Sequence, residues 1–534
     1  MSPSPADGPA RPGRMIRASM IPAGLLAIGL AAHAQEPKGE IAASSPAKTT
    51  VMADLTHRYR LMERYAPDET DAAGTPLIGP YRVGVVEITK DSIDVPKGSP
   101  KRSETARQLV YVERPAEVST QGIPAATVRT FERFQVRPGD AAEAVMPRPF
   151  EGLSVYCRPR PGEASQLLSL TEGRRLRDTE YELAARVTFL PHASQILPAQ
   201  PVRVGETWRI PRKAAQALIG EAAGPVDALT GKLVELRREA DGPRLVAVIG
   251  ISGRVESPSL QAAVNAEALF TGLPEDATPP ADATAPATAP AQPPARADDG
   301  IIETRGGLTE IRMARTTTGL LPGPGRLHYR TTREVVVHRQ LGLGNDAATI
   351  PRPPARPEPT DANAWLSYLD PRGRFGFDHP QDLLPPDPYQ LVAGGIVADP
   401  ETATLTRGRR DGHDLLQVEY VGKVVTPELL RQKLASKWGS NRLEVMKGGE
   451  EWLPEAEWPR MKVHRIEAAI QAPDRSKTGN APRIHFDGYL IQFGQSASIL
   501  AVATTSRDNV AAYRQEIERI LKSLQISPAR SVEG

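Results

Sequence analysis

Short stretches in which apolar and polar residues alternate with a period of two recur through the first 340 positions. They run at His57 to Tyr65, Tyr81 to Thr89, Gln108 to Glu113, Thr127 to Val136, Leu245 to Ile251, Val264 to Phe270, Gly300 to Thr304, Leu308 to Met313 and Arg330 to Arg339. Side chains on a strand point alternately to its two faces, so each stretch predicts a half-buried strand bounded by Pro, Gly or Asp. A change of period at Thr179 to Leu190 predicts a helix. Residues 51–340 therefore read as an antiparallel β-rich region.

Beyond residue 364 both periods occur. Phe375 and Phe377 alternate on a strand that Pro380 ends, and Leu415 to Val421, Met461 to Ile470, Arg483 to Phe493 and Ser498 to Thr505 follow the same pattern. Thr426-Pro427-Glu428 supplies an N-cap, a Pro at the first helical position and a carboxylate in the first turn. The helix it starts carries Leu430, Leu434 and Trp438 at four-residue steps and stops at Gly439. A terminal helix from about Asp508 to Leu524 gathers Val510, Tyr513, Ile517, Ile520, Leu521 and Leu524 into one stripe. In the strand Arg483 to Phe493, Ile484, Phe486 and Leu490 are expected beneath that helix. His485, Asp487, Tyr489, Ile491 and Phe493 then take the other face.

This order of elements in residues 364–528 resembles the PsbP-like α/β/α sandwich, a family that includes bacterial DcrB-type envelope proteins. The resemblance rests on G-R-F-G-F-D-H-P (Gly373 to Pro380), the paired strands around Gly494, and V-A-A-Y-R-Q-E-I-E-R-I-L-K-S-L (Val510 to Leu524). It implies a non-enzymatic accessory or partner-binding role and brings no catalytic residues. The run G-E-T-W (Gly205 to Trp208) resembles a motif of uncharacterised exported bacterial β-rich domains, with Trp208 as a core anchor. The expected fold class is α+β: an antiparallel β-rich region followed by a PsbP-like sandwich with an antiparallel sheet.

Composition adds boundaries. Proline, at 52 residues, is nearly twice as frequent as the roughly 5% of average proteins, and it concentrates in two tracts. Residues 276–299 hold no aromatic and no aliphatic side chain larger than Ala, so they read as a disordered insertion in a hairpin loop. Residues 341–363 read as a Pro-rich linker.

Residues 1–34 carry Arg11, Arg14 and Arg17, an apolar core from Ile21 to Ala32, and Ala32-His33-Ala34, the succession of a secretory signal peptide cut before Gln35. About a dozen apolar residues are short of the roughly twenty that span a bilayer, so no membrane span is expected after cleavage. Translation beginning at Met15 would leave a more usual basic segment. The expected location is exported, either periplasmic or extracellular. The single cysteine, Cys157, excludes an intramolecular disulfide and reads as a small buried apolar residue. The formal charge of +2 comes from residues 1–34, which hold three Arg and one Asp. A neutral remainder offers no footprint for nucleic acid.

Candidate chemistry is sparse. His485 and Asp487 are same-face neighbours about 7 Å apart on one strand, the beginning of a metal or catalytic site. No second His-x-His or His-x-x-x-His pair lies near them, so the sequence favours a structural pair. Gly494-Gln495-Ser496-Ala497-Ser498 approaches a nucleophile elbow but joins two strands, not a strand and a helix. Glu450, Glu451, Glu455 and Glu457, interleaved with Trp452 and Trp458, read as a solvated loop with two Trp anchors. No catalytic, cofactor-binding or metal residues are assigned and no cofactor is expected. The expected function is non-enzymatic binding of an envelope protein or a small apolar ligand. The alternatives are a hydrolase assembled from distant residues, His485 and Asp487 included, and a carrier of lipid-like ligands in the β-sheet of residues 51–340.

Overall fold

A computed structural model describes residues 51–52, 57–65, 78–94, 99–120, 122–138, 151–160, 165–219, 229–238, 244–257, 260–274, 301–320, 328–343, 357–385, 402–407, 414–438, 444–471, 483–505 and 510–526. The expected signal peptide, the 276–299 insertion and most of the 341–363 linker lie outside these residues.

The alternation in the sequence becomes long paired strands. In chain order they are β1 (Val51–Met52), β2 (Arg58–Met62), β3 (Tyr81–Ile93), β4 (Lys101–Val118), β5 (Pro124–Pro138), β6 (Ser154–Arg158), β7 (Gln166–Ser169), β8 (Leu176–Arg177), β9 (Thr207–Arg209), β10 (Thr230–Arg238), β11 (Leu245–Ser257), β12 (Leu260–Pro274), β13 (Ile301–Leu320) and β14 (His328–Gln340). All but β8 form a 13-stranded sheet in the order β1-β10-β11-β12-β13-β14-β3-β4-β5-β6-β7, with β2 on β13 and β9 on β10. Every pairing is antiparallel except β2 on β13.

One face of this sheet is covered by helices α1 (Asp178–Arg186), α2 (Leu190–Ala193) and α3 (Arg212–Ile219). Tyr181, Ala184, Leu190, Ala214 and Leu218 from the helices pack with Val83, Tyr111, Phe131, Leu233 and Ile249 from the strands in one core. Trp208 packs at the margin of that core, and its Nε1 donates to Ile196 O at 2.7 Å. Gly231 stands opposite it across β9 and β10, and a Cβ there would sit 2.6 Å from the indole. The indole therefore needs glycine as its neighbour.

The second half contributes β15 (Trp365–Leu369), β16 (Phe375–Pro380), β17 (Leu383–Leu384), β18 (Thr402–Arg407), β19 (Asp414–Val421), β20 (Glu444–Trp452), β21 (Lys462–Gln471), β22 (Arg483–Phe493), β23 (Ala497–Thr505) and β24 (Gln525–Ile526), with helices α4 (Asp361–Ala364), α5 (Pro427–Trp438) and α6 (Val510–Lys522). Seven strands form a sheet in the order β17-β18-β19-β23-β22-β21-β20. Leu430 and Leu434 of α5 pack on Leu490 and Leu500, while Tyr513, Ile517 and Leu521 of α6 pack on Tyr489, Ile491 and Ile499. The face of β22 beneath the terminal helix is thus the one bearing Tyr489 and Ile491, the reverse of the expected face. The pattern of β22 is apolar on both sides, so periodicity alone does not orient it.

The halves meet in a four-stranded sheet, β24-β16-β15-β8, in which Leu176 and Arg177 pair with Leu366 and Ser367. Arg175 Nη1 lies 2.7 Å from Asp378 Oδ2, and Gln381 Nε2 donates to Leu167 O.

The α+β expectation, with a separate PsbP-like sandwich, is corrected here. Strands make up 61% of the described residues and helices 17%, so the chain is mostly antiparallel β built on large sheets. The physical cause is strand length. β4 and β13 run to 18 and 20 residues, where the sequence showed only short alternating pieces interrupted by Arg, Thr and Gly.

Candidate functional site

The period-two pattern of β3, β4 and β14 places Val85, Leu109, Val335 and Val337 on the helix-covered face. With Tyr111, Phe131 and Phe134 they form the floor of a pocket whose roof is Leu183, Val187, Thr188 and Leu190. The pocket encloses about 650 Å³ free of protein atoms, part of it open to solvent. The room it leaves for the centre of a water-sized sphere is about 50 Å³, on a scale where one water needs ~10–15 Å³. A smaller recess bounded by Leu308, Ile311 and Arg339 shares Leu190 and Val337 with it. Along the strands the lining changes from aromatic and aliphatic inside to Glu87, Arg107 and Arg333 at the rim.

The roof is held at both ends. At its carboxyl end, the buried guanidinium of Arg129 donates to Val187 O at 3.4 Å and Thr188 O at 3.2 Å, groups that a helix terminus leaves without partners. Arg129 lies 3.3 Å from Glu113 Oε1, which also accepts from Thr127 Oγ1 at 2.6 Å. Its Cζ stands 5.5 Å from the ring centroid of Tyr111 and 5.8 Å from that of Phe189. Burial, and then the Glu113 charge, push the Tyr111 phenol well above the ordinary tyrosine range. Cys157 belongs to the same core, and burial raises its thiol despite the nearby Arg129, as suits an inert apolar side chain.

At the amino end of the roof, Glu180 Oε2 accepts from Arg177 N at 2.9 Å, and Asp178 Oδ1 lies 2.7 Å from His379 Nε2. A second buried cation, Arg339, pairs with Glu63 at 3.0 Å and stands 4.0 Å from the centroid of the Tyr81 ring. None of these groups forms a nucleophile–base–orienter chain; they fix the walls.

His485 and Asp487 lie on β22, far along the chain from this pocket. Asp487 is buried and its Oδ1 is 3.0 Å from Arg514 Nη2 of α6, which also reaches Glu467 at 2.8 Å. Burial raises the Asp487 carboxyl above its usual range, and the hydrogen bond and charge of Arg514 offset only part of that. His485 is half-buried beside it, opposite Ala469 and Thr505, and its Nδ1 has no hydrogen-bond partner among the described residues. Among the described residues no group of three or more His, Cys, Asp or Glu side chains could hold a metal ion.

Glu450 and Glu451 stand on strand β20 and pair with Arg431 and Arg465. Trp458 is fully buried, whereas Trp452 is half exposed, with its ring edge-on to His464 at 5.0 Å between centroids. Gly494 to Ser496 form the turn between β22 and β23. The pocket residues carried no motif. Their only signal was the inward alternation on β3, β4 and β14, and nothing local marks α1 and α2 as the cover.

No known family matches the chain, and no curated protein matches it in sequence. Among solved structures it is similar to cyanobacterial PsbP from Synechocystis sp. PCC 6803, at 11% identity over 31% of this chain and 93% of that one, with a TM-score of 0.22. It is also similar to the LolA superfamily protein NE2245 from Nitrosomonas europaea, at 8% identity over 51% and 90%, with a TM-score of 0.12. A third is OccK11 from Pseudomonas aeruginosa, at 7% identity over 85% and 98%, with a TM-score of 0.11. The likeness to PsbP extends to about a third of the chain, and no activity follows from scores this low.

Proposed function

We propose that this is an exported, non-enzymatic binding protein that takes a small apolar ligand beneath α1 and α2. The carrying observation is the pocket itself: aromatic and aliphatic walls, charges confined to the rim, and no His among its lining residues. Apolar concavities with a few polar groups are the usual form of small-molecule sites. The hydrolase alternative has less support, since Asp487 is engaged by Arg514 and His485 Nδ1 has no hydrogen-bond partner among the described residues to orient it.

The test is titration with a solvatochromic apolar dye and its displacement by dodecanol. Saturable binding that Val335→Trp abolishes supports the reading; absence of saturable binding, or binding indifferent to Val335→Trp, overturns it. Export rests on residues 11–34 and is checked by intact mass, which should correspond to a chain beginning at Gln35.

A further inference from the structure

The rim of the pocket is unevenly charged. Across β14, β3 and β4, Val335 stands opposite Glu87 and Glu87 opposite Arg107, with Arg333 one inward-facing position further out on β14. Arg333 Nε is 2.9 Å from Glu87 Oε1, so that carboxylate is engaged. No hydrogen bond or ion pair joins Arg107, half-buried at the rim, to another described residue. Arg315 stands directly opposite Arg333 on β13 and donates to Ile219 O at the end of α3. Two guanidinium groups, Arg107 and Arg333, therefore flank one carboxylate at the open end of an apolar cavity, with Arg315 beside Arg333 and outside the lining. Asp91, the nearest further acid on this face, lies two inward positions beyond Glu87 and accepts from Thr331 Oγ1 at 2.6 Å.

We propose that the ligand is an amphiphile with an anionic head, its head held by Arg107 and Arg333 and its chain lying between α1 and the sheet. This inference rests on the apolar-pocket reading above. Guanidinium groups bind carboxylate and phosphate oxygens through paired, charge-assisted hydrogen bonds, and Arg107 is free to make them. An anion would also relieve the crowding of like charges. Arg315 adds to that crowding: burial and then the adjacent Arg333 lower its proton affinity, with Glu87 opposing in part. An acyl or alkyl chain running inward from the arginines would meet Leu109, Phe134, Val335 and Val187 in turn, with no buried charge to desolvate.

The test compares four twelve-carbon probes below their micellar concentrations: dodecanoate, dodecyl phosphate, dodecanol and dodecyltrimethylammonium. Affinities are measured for the whole chain and for Arg107→Gln and Arg107→Lys. The expected result is that both anions bind about tenfold or more tightly than dodecanol, a preference that added salt weakens. Arg107→Gln removes most of the preference while leaving dodecanol unaffected, and Arg107→Lys keeps it. The ratio of dodecanoate to dodecyl phosphate affinity identifies which head the site favours. If dodecanol binds as well as the anions, or the cationic probe binds best, the head-group inference is overturned and the apolar pocket survives. If no probe binds, both fail.

Discussion

His379 Nε2 lies 2.7 Å from Asp178 Oδ1, with the imidazole fully buried, and the contact ties strand β16 to the first residue of the pocket's roof helix. The other imidazole nitrogen, Nδ1, is 3.1 Å from Pro380 O, so the ring is held on both sides. Position 379 lies in the second half of the chain, and position 178 opens the helix that covers the first half's sheet. The two halves are therefore mechanically linked at the site argued to bind ligand.

His379→Ala removes a buried partner of a carboxylate and should cost about 1.5–3 kcal/mol. The more specific outcome is local: amide protection in residues 178–188 should fall further than in β22 or β23. Hydrogen exchange with peptide resolution reads both regions at once. Equal protection of the roof in the variant and the parent would mean that Asp178 does not hold it.

Arg129 sets the opposite end of the roof, and its role is separable from simple packing. Arg129→Ala leaves Glu113 buried without its cation and frees the carbonyls of Val187 and Thr188. The expected cost is about 3–5 kcal/mol in denaturant unfolding. Replacing both partners, Arg129→Met with Glu113→Leu, should recover much of it, because neither charge then needs solvating. A single-mutant cost below about 1 kcal/mol would show that water reaches Glu113.

The sequence was most legible where one period dominated. The limits of β22 and α5 were readable because an apolar-rich strand run ending before the Gly494 turn and a capped, Gly-stopped stripe each have one solution. The orientation of β22 was not, since Leu490 and Ile491 are both buried and either face could take a helix. The strands β15, β18 and β20 were missed: Glu444–Trp452 is interrupted by Gly448 and Gly449 at a register shift, which hides the alternation. The pocket was less legible still. Its floor comes from strands up to 250 positions apart, and its roof is short helices whose cover role depends on Arg129 and His379 reaching them from elsewhere.

Ile517 and Leu521 test the α6 stripe directly. Both are fully buried against Tyr489, Ile491 and Ile499, so truncation to Ala leaves a cavity that strands on either side cannot close. Each substitution should cost about 2–5 kcal/mol. Chemical denaturation gives the value, and changes under about half a kcal/mol at both sites would mean that α6 is not docked as described.

Asp487 gives a pH dependence with a defined sign. Burial raises its folded-state carboxyl above the ordinary value, with Arg514 opposing in part. In the window just above pH ~4, the folded chain therefore holds a proton that the unfolded chain has released. The group favours folding below its unfolded value, and that contribution is lost as pH rises through the folded value. Asp487→Asn is neutral throughout and leaves Arg514 its second partner, Glu467, at 2.8 Å. Relative to the parent, the variant should gain stability as pH rises from the ordinary aspartate value through the raised folded value, and then show a constant difference. Urea unfolding of both proteins across that range makes the comparison, with carboxylates outside the Asp487–Arg514–Glu467 cluster cancelling in the difference. A variant that instead loses ground as pH rises would show that attraction to Arg514 exceeds the burial penalty, and that the pair stabilises the fold as an ion pair.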